Sequence, residues 1–150
     1  MKPKKDRPSL KLIRLAMEFG TIEKRIRTYG VGVAIHEAEI HMIKAVKEAE
    51  GIHVTGLAER FGVTKGAVSQ LLAKLEKKGL VSKEPDSANL SRLRLKLTPR
   101  GEQAYARHEE LHALFDSTVE NQLGRHPESF TTDLCRFLDS MNAALADFKD

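Results

Sequence analysis

"GLAERFGVTKGAVSQLLAKLEKKGLVSKEP", Gly56 to Pro85, is the stretch whose reading decides the fold. Apolar residues recur at helical spacing on both sides of Gly62: Leu57, Ala58 and Phe61 before it, and Ala67, Val68, Leu71, Leu72 and Leu75 after it. Thr55 is placed to cap the first short helix and Thr64 the second, and Gly79 stands just past the end of the second. Glycine at 62 allows a turn with positive φ at little steric cost. The small Ala58 lets the two helices approach, and Val68 and Leu71 lock one against the other. With that stripe inward, Lys65, Gly66, Ser69, Gln70 and Lys74 face out.

Past Leu80 the period changes from helical to alternating. "LVSKEP" and "LRLKL", separated by the turn formers "DSANLS", read as a two-stranded hairpin over 80–97. Alternation puts Leu93, Leu95 and Leu97 on one face, with Arg94 and Lys96 on the other. Thr98-Pro99 restarts a helix, proline taking the first position where its missing N–H costs nothing, and that helix is predicted to reach Leu123 before "GRHP". A last helix carries Phe130, Leu134, Phe137, Leu138, Met141, Leu145 and Phe148 at helical spacing.

Upstream, a first helix opens at Pro8 with Leu12, Ile13, Ala16, Phe19 and Ile26 in phase, and ends near Tyr29–Gly32. A second runs from Glu37 to Glu50 with Met42, Ile43 and Val46 inward and Ile35 in staple position before it. The predicted fold is mainly α with a small β-hairpin wing. It is a winged helix-turn-helix at 33–100 within one domain of 1–150, with a recognition helix at 64–78.

At 150 residues and 41% hydrophobic content the chain can bury one core and hardly a second. Charge is distributed unevenly: residues 51–107 carry eleven basic against five acidic side chains, residues 108–150 three against nine. The basic middle suits a polyanionic partner. No apolar run approaches the roughly 20 residues that cross a bilayer, and "MKPKKDRPSL" has no apolar segment behind it. A soluble, cytoplasmic protein with no membrane partner is expected. Cys135, the single cysteine, can form no intrachain disulfide and reads as an inert, partly buried thiol. No glycine-rich phosphate loop, nucleophile elbow or acid–base pair stands out, so an enzyme is not expected.

The order of elements, and the run Leu97-Thr98-Pro99-Arg100-Gly101 after the wing, resemble the MarR family of bacterial transcription regulators. The resemblance extends from the second helix to the fifth and is densest between Leu57 and Gly101. It implies a ligand-responsive repressor, a homodimer built from helices at 8–30 and 99–148, and a palindromic double-stranded DNA operator. It also places the recognition helix in the major groove, with Lys65, Gly66, Ser69 and Gln70 at base edges and phosphates and Lys74 further back. Thr55 and Thr64 stand at the helix starts beside the backbone. The wing departs from the family pattern of an aspartate followed two residues later by an arginine, because Asn89 and Ser91 occupy those places. Arg92 and Arg94 are the candidates for the minor groove.

His108 and His112, four apart on the fifth helix, project from one face. With His41 on the second helix they resemble the ligands of the zinc-responsive branch of the family. That branch's cysteine and the glutamate beside its second-helix histidine are not reproduced, since Ile40 stands there; Glu23 or Glu39 would have to substitute. Alternatives are a winged helix used for protein contact without specific DNA binding, histidines that line a helix junction or dimer interface, and an organic effector of unknown identity.

Overall fold

Pro8 sits in the first turn of α1 (Pro8–Glu23), a helix with no buried side chain in the single chain. The structure, a computed structural model, describes residues 7–49, 51–86 and 89–146. These fall into two compact units that divide between His108 and Glu109. Helix α1 ends earlier than its apolar period suggests: Ile26 lies beyond it and is exposed. The chain from there to α2 turns tightly, with Arg27 and Ile35 bridged backbone to backbone and Tyr29 at a positive φ of 46°. Tyr29, Val31 and Ile35 are buried in that turn, which explains why a bulky residue is held in so unusual a conformation.

α2 (Glu37–Glu48) is the central helix of the first unit and buries Ile40, Met42, Ile43, Ala45 and Val46. Its start is closed by His36 and Glu39 in a reciprocal capping box, the His36 N–H donating to Glu39 Oε2 at 2.8 Å. α3 (Val54–Phe61) and α4 (Lys65–Lys77) pack on it through Leu57, Ala58, Val68, Leu72 and Leu75. Gly62, at φ 63°, makes the turn between them. The hairpin β1 (Val81–Asp86) and β2 (Asn89–Leu97) is antiparallel, pairing Val81 with Leu97 and Lys83 with Leu95. Leu80, Val81, Leu95 and Leu97 fasten its base to the core.

α5 (Pro99–Leu123) begins by burying Gly101, Ala104 and His108. A Cβ at Gly101 would stand 2.0 Å from the Leu80 carbonyl oxygen, so only glycine lets this helix cross the root of the wing. The second unit holds the rest of α5 and α6 (Glu128–Ala146).

Several expectations are corrected. Thr55 does not cap α3: Leu95 N–H bonds the Ile52 carbonyl, which keeps the chain extended through His53, and His53 is the N-cap while Thr55 is exposed in the first turn. The inward stripes are narrower than predicted. Phe61, in the last turn of α3, and Ala67 are exposed, and Leu71 is half-buried. Leu93 lies on the same strand face as Leu95 and Leu97, yet it is 51% exposed because β2 has run past the body. Cys135 is exposed, and its neighbour Arg136 faces Asp133. Glu50, at the expected end of the second helix, Ser87 and Ala88 in the expected hairpin turn, and Phe148 lie outside the described residues.

Candidate nucleic-acid interface

α4 owes its definition to both ends. The Thr64 hydroxyl accepts the Ala67 N–H at 3.2 Å, and Gly79, at φ 68°, reverses the chain at the other end. Between them Val68, Leu72 and Leu75 are buried, which turns Lys65, Gly66, Ser69, Gln70 and Lys74 to solvent. None of these side chains makes a hydrogen bond or ion pair among the described residues. A Cβ at Gly66 would meet nothing closer than the Thr64 hydroxyl at 3.8 Å, so no neighbour within the chain requires glycine there. The helix thus offers an open, uncommitted polar face whose N-terminal half carries the amide, hydroxyl and ammonium groups that read base edges.

The far end of α4 is held from behind, in a way the sequence pattern does not disclose. Lys78 reaches both carboxylate oxygens of Glu39 at 2.6 Å and the Ala34 carbonyl at 2.7 Å. It is therefore an internal clamp rather than the phosphate contact or solvated lysine that its place in "EKKG" suggests. Arg100 adds a second tie, donating to the carbonyls of Val31 and Lys78. Thr98 donates to the Gly79 carbonyl at 2.7 Å. Burial alone would push the Glu39 carboxyl up, but the Lys78 hydrogen bond and the His36 N–H outweigh it and hold the group below the ordinary carboxylate range. The capping spacing of His36 and Glu39 was the available signal for Glu39. Nothing local marks Lys78 or Arg100, whose partners lie 39 and 69 positions away.

At the wing, Arg94 is exposed on the outer face of β2, opposite Glu84. Its guanidinium folds back over the loop before α3: a Cβ on Gly51 would fall 2.6 Å from it. Gly51, at φ 79°, is required by its conformation, whereas the guanidinium stands at the end of a flexible side chain that can move aside. The side chain of Arg92 lies outside the described residues.

The histidines separate. Glu23, His41 and His108 each bring one ligand-type atom within 4.8 Å of the others. His41 Nε2 stands 3.7 Å from Glu23 Oε2, and the His41 and His108 rings meet edge to face at 6.0 Å. His108 is buried, with Tyr29 against it at 5.9 Å, and burial pushes the Tyr29 hydroxyl up despite the opposing pull of Arg27. Two imidazoles and a carboxylate are a donor set suited to a zinc-like ion, and two ligands on a tetrahedral ion stand about 3.3 Å apart. The acidic member is Glu23 and not Glu39, which is committed to Lys78. His112 falls in the second unit and is not a member of this cluster.

A helix pair on a glycine turn, backed by a third helix and followed by an antiparallel hairpin, defines a winged helix-turn-helix protein. Residues 34–89 match the sequence profile of the MarR family. The chain is 34% identical over 74 residues to the HTH-type transcriptional regulator YhjH of Bacillus subtilis, covering 49% of this chain and 42% of that protein. It is 33% identical over 84 residues to the transcriptional regulator HosA of Escherichia coli, covering 56% and 60%. The matched segments thus span about half the length of these curated relatives. Among solved structures, Streptococcus pneumoniae FabT in complex with DNA has the same fold, with a TM-score of 0.72, 22% identity and coverage of 94% and 96% of the two chains. No helix among the described residues is long and apolar enough to cross a membrane.

Proposed function

We propose that this protein is a dimeric, sequence-specific DNA-binding transcription regulator acting as a ligand-responsive repressor. One observation carries the reading: the exposed, unpartnered face of α4, with Lys65, Gly66, Ser69, Gln70 and Lys74 on a helix fixed at both ends. Gln70 suits a bidentate bond to adenine, Lys65 a guanine or phosphate, Ser69 either, and Lys74 a phosphate. Thr55 and Thr64, exposed at the two helix starts, suit backbone contacts. Arg92 or Arg94 serves the minor groove, and the fold of Arg94 over Gly51 favours Arg92 for the deeper position. The partner is a second copy of the chain. α1 exposes Leu10, Ile13, Leu15 and Met17, and the second unit exposes Leu114, Phe115, Phe137 and Leu145, apolar side chains that suit a partner copy. Selection from a pool of random duplexes should return a two-fold symmetric site with half-sites about one helical turn apart. Weak binding without sequence preference or salt dependence would instead favour a protein-interaction winged helix.

The Glu23, His41 and His108 cluster supports a second statement, that the effector is a divalent transition metal such as zinc. When bound, such an ion would tie α1, α2 and α5 through one carboxylate and two imidazoles. Zinc titration of the purified protein should change its affinity for the selected duplex, and His108→Ala should abolish that response. An affinity indifferent to zinc would leave an organic effector as the reading.

A further inference from the structure

We infer that His53 is the positioning residue that sets the wing against the helical body, and that it does so as the imidazolium. The inference concerns the wing of the proposed DNA-binding protein and rests on that reading only for its effect on affinity.

β2 leaves the body between Leu95, which is 1% exposed, and Leu93, which is 51% exposed. Backbone groups of alternate residues on a strand point to the same edge. The Leu95 N–H turns away from β1 to bond the Ile52 carbonyl at 3.3 Å. Two residues on, no backbone donor among the described residues of the α2–α3 loop continues that ladder. The Leu93 carbonyl is met by His53 Nδ1 at 3.0 Å instead, so a side chain supplies the next rung.

The other ring nitrogen faces the second strand. His53 Nε2 lies 3.4 Å from Asp86 Oδ2, at the end of β1 where the register shifts. The Asp86 side chain is 14% exposed and that of His53 33%, so the contact is partly shielded from water. One imidazole ring therefore joins the N-cap of α3 to both strands at the point where the wing departs. Among the described residues, the charged groups about it are Asp86 on β1 and, on β2, Arg94, whose guanidinium lies over Gly51 and which pairs with Glu84 in the register.

Both partners are acceptors, a carbonyl and a carboxylate. Either neutral tautomer donates to one of them and turns a lone pair toward the other; only the imidazolium donates to both. Gaining a proton thus fastens the wing at both contacts, and losing it releases one. The double contact therefore belongs to the protonated ring, and the neutral ring keeps one of its two bonds.

The test reads the wing and the DNA separately. Amide protection factors of the β2 residues in the free protein should fall about fivefold between pH 6 and pH 8, the equivalent of one net hydrogen bond. Affinity for the selected duplex should weaken with the same midpoint. His53→Gln, which keeps one donor nitrogen that does not titrate, should flatten both profiles, and Asp86→Asn should reduce their amplitude. Circular dichroism of each variant should report an intact helical body. If His53→Gln follows the wild-type profile in wing protection, the inference is overturned. A wing that responds through His53 in a protein that binds no duplex supports the inference and removes the DNA-binding reading instead.

Discussion

Two glycines on neighbouring helices separate folding from recognition. Gly101 has the Leu80 carbonyl where a Cβ would go, so Gly101→Ala should destabilise the fold by about 2–3 kcal/mol, or prevent it, in thermal denaturation. Gly66 faces open space, and replacing glycine inside a helix ordinarily stabilises it by up to about 1 kcal/mol. Gly66→Leu should therefore keep or raise the melting temperature while lowering duplex affinity at least about tenfold, if backbone proximity to the groove is its purpose. Glu39 gives a pH prediction. Its folded-state carboxyl is held down, so its stabilising share is complete above the ordinary carboxylate value and is lost as pH falls through the depressed one. Acid denaturation of Glu39→Gln should show a weaker dependence in that window, with a neutral-pH cost of about 2 kcal/mol from removing the charged partner of Lys78, which keeps its bond to the Ala34 carbonyl. Gly66 and Gln70 were legible as outward residues because helical phase alone decides it. Glu39 and Lys78 were not, because their meeting depends on how α2 and the end of α4 are brought together.

At the scale of elements, the sequence was most legible where side-chain phase and backbone chemistry agree. Thr64, Gly62, Gly79 and Pro99 each stand where the expected cap, turn or first-turn position lies. Thr64→Ala should cost about 1 kcal/mol and fray the part of α4 that carries Lys65 and Gly66, measurable as lost amide protection there. The start of α3 departs from its local signal for a physical reason. A threonine followed by glycine looks like a cap, but the Leu95–Ile52 bond holds the preceding residues extended and moves the helix start back to Val54. Local propensity yields there to a contact made far along the chain. The same long-range pairing places His53 and Gly51 at the wing root; Gly51 is legible in the sequence only as the glycine after the second helix, and His53 belongs to no recognisable motif.

For the whole molecule, the apolar stripes of α1 and α6 were legible as patterns, but a stripe does not name what covers it. In the single chain they stay exposed, which fits a partner copy and predicts that sedimentation will find a dimer at micromolar concentration. Met17→Glu or Leu15→Glu on α1 should shift that equilibrium toward monomer and weaken operator binding in parallel. The central claim, that the outward face of α4 reads DNA, is tested most directly by the salt dependence of affinity for the selected duplex. Wild-type protein should bind with an affinity that falls steeply with salt. Lys74→Ala should shallow the slope by about two units per dimer, and Gln70→Ala should leave the slope unchanged while losing about 1–3 kcal/mol of preference for the selected sequence per half-site. Identical slopes and identical sequence preference in all three proteins would contradict the account.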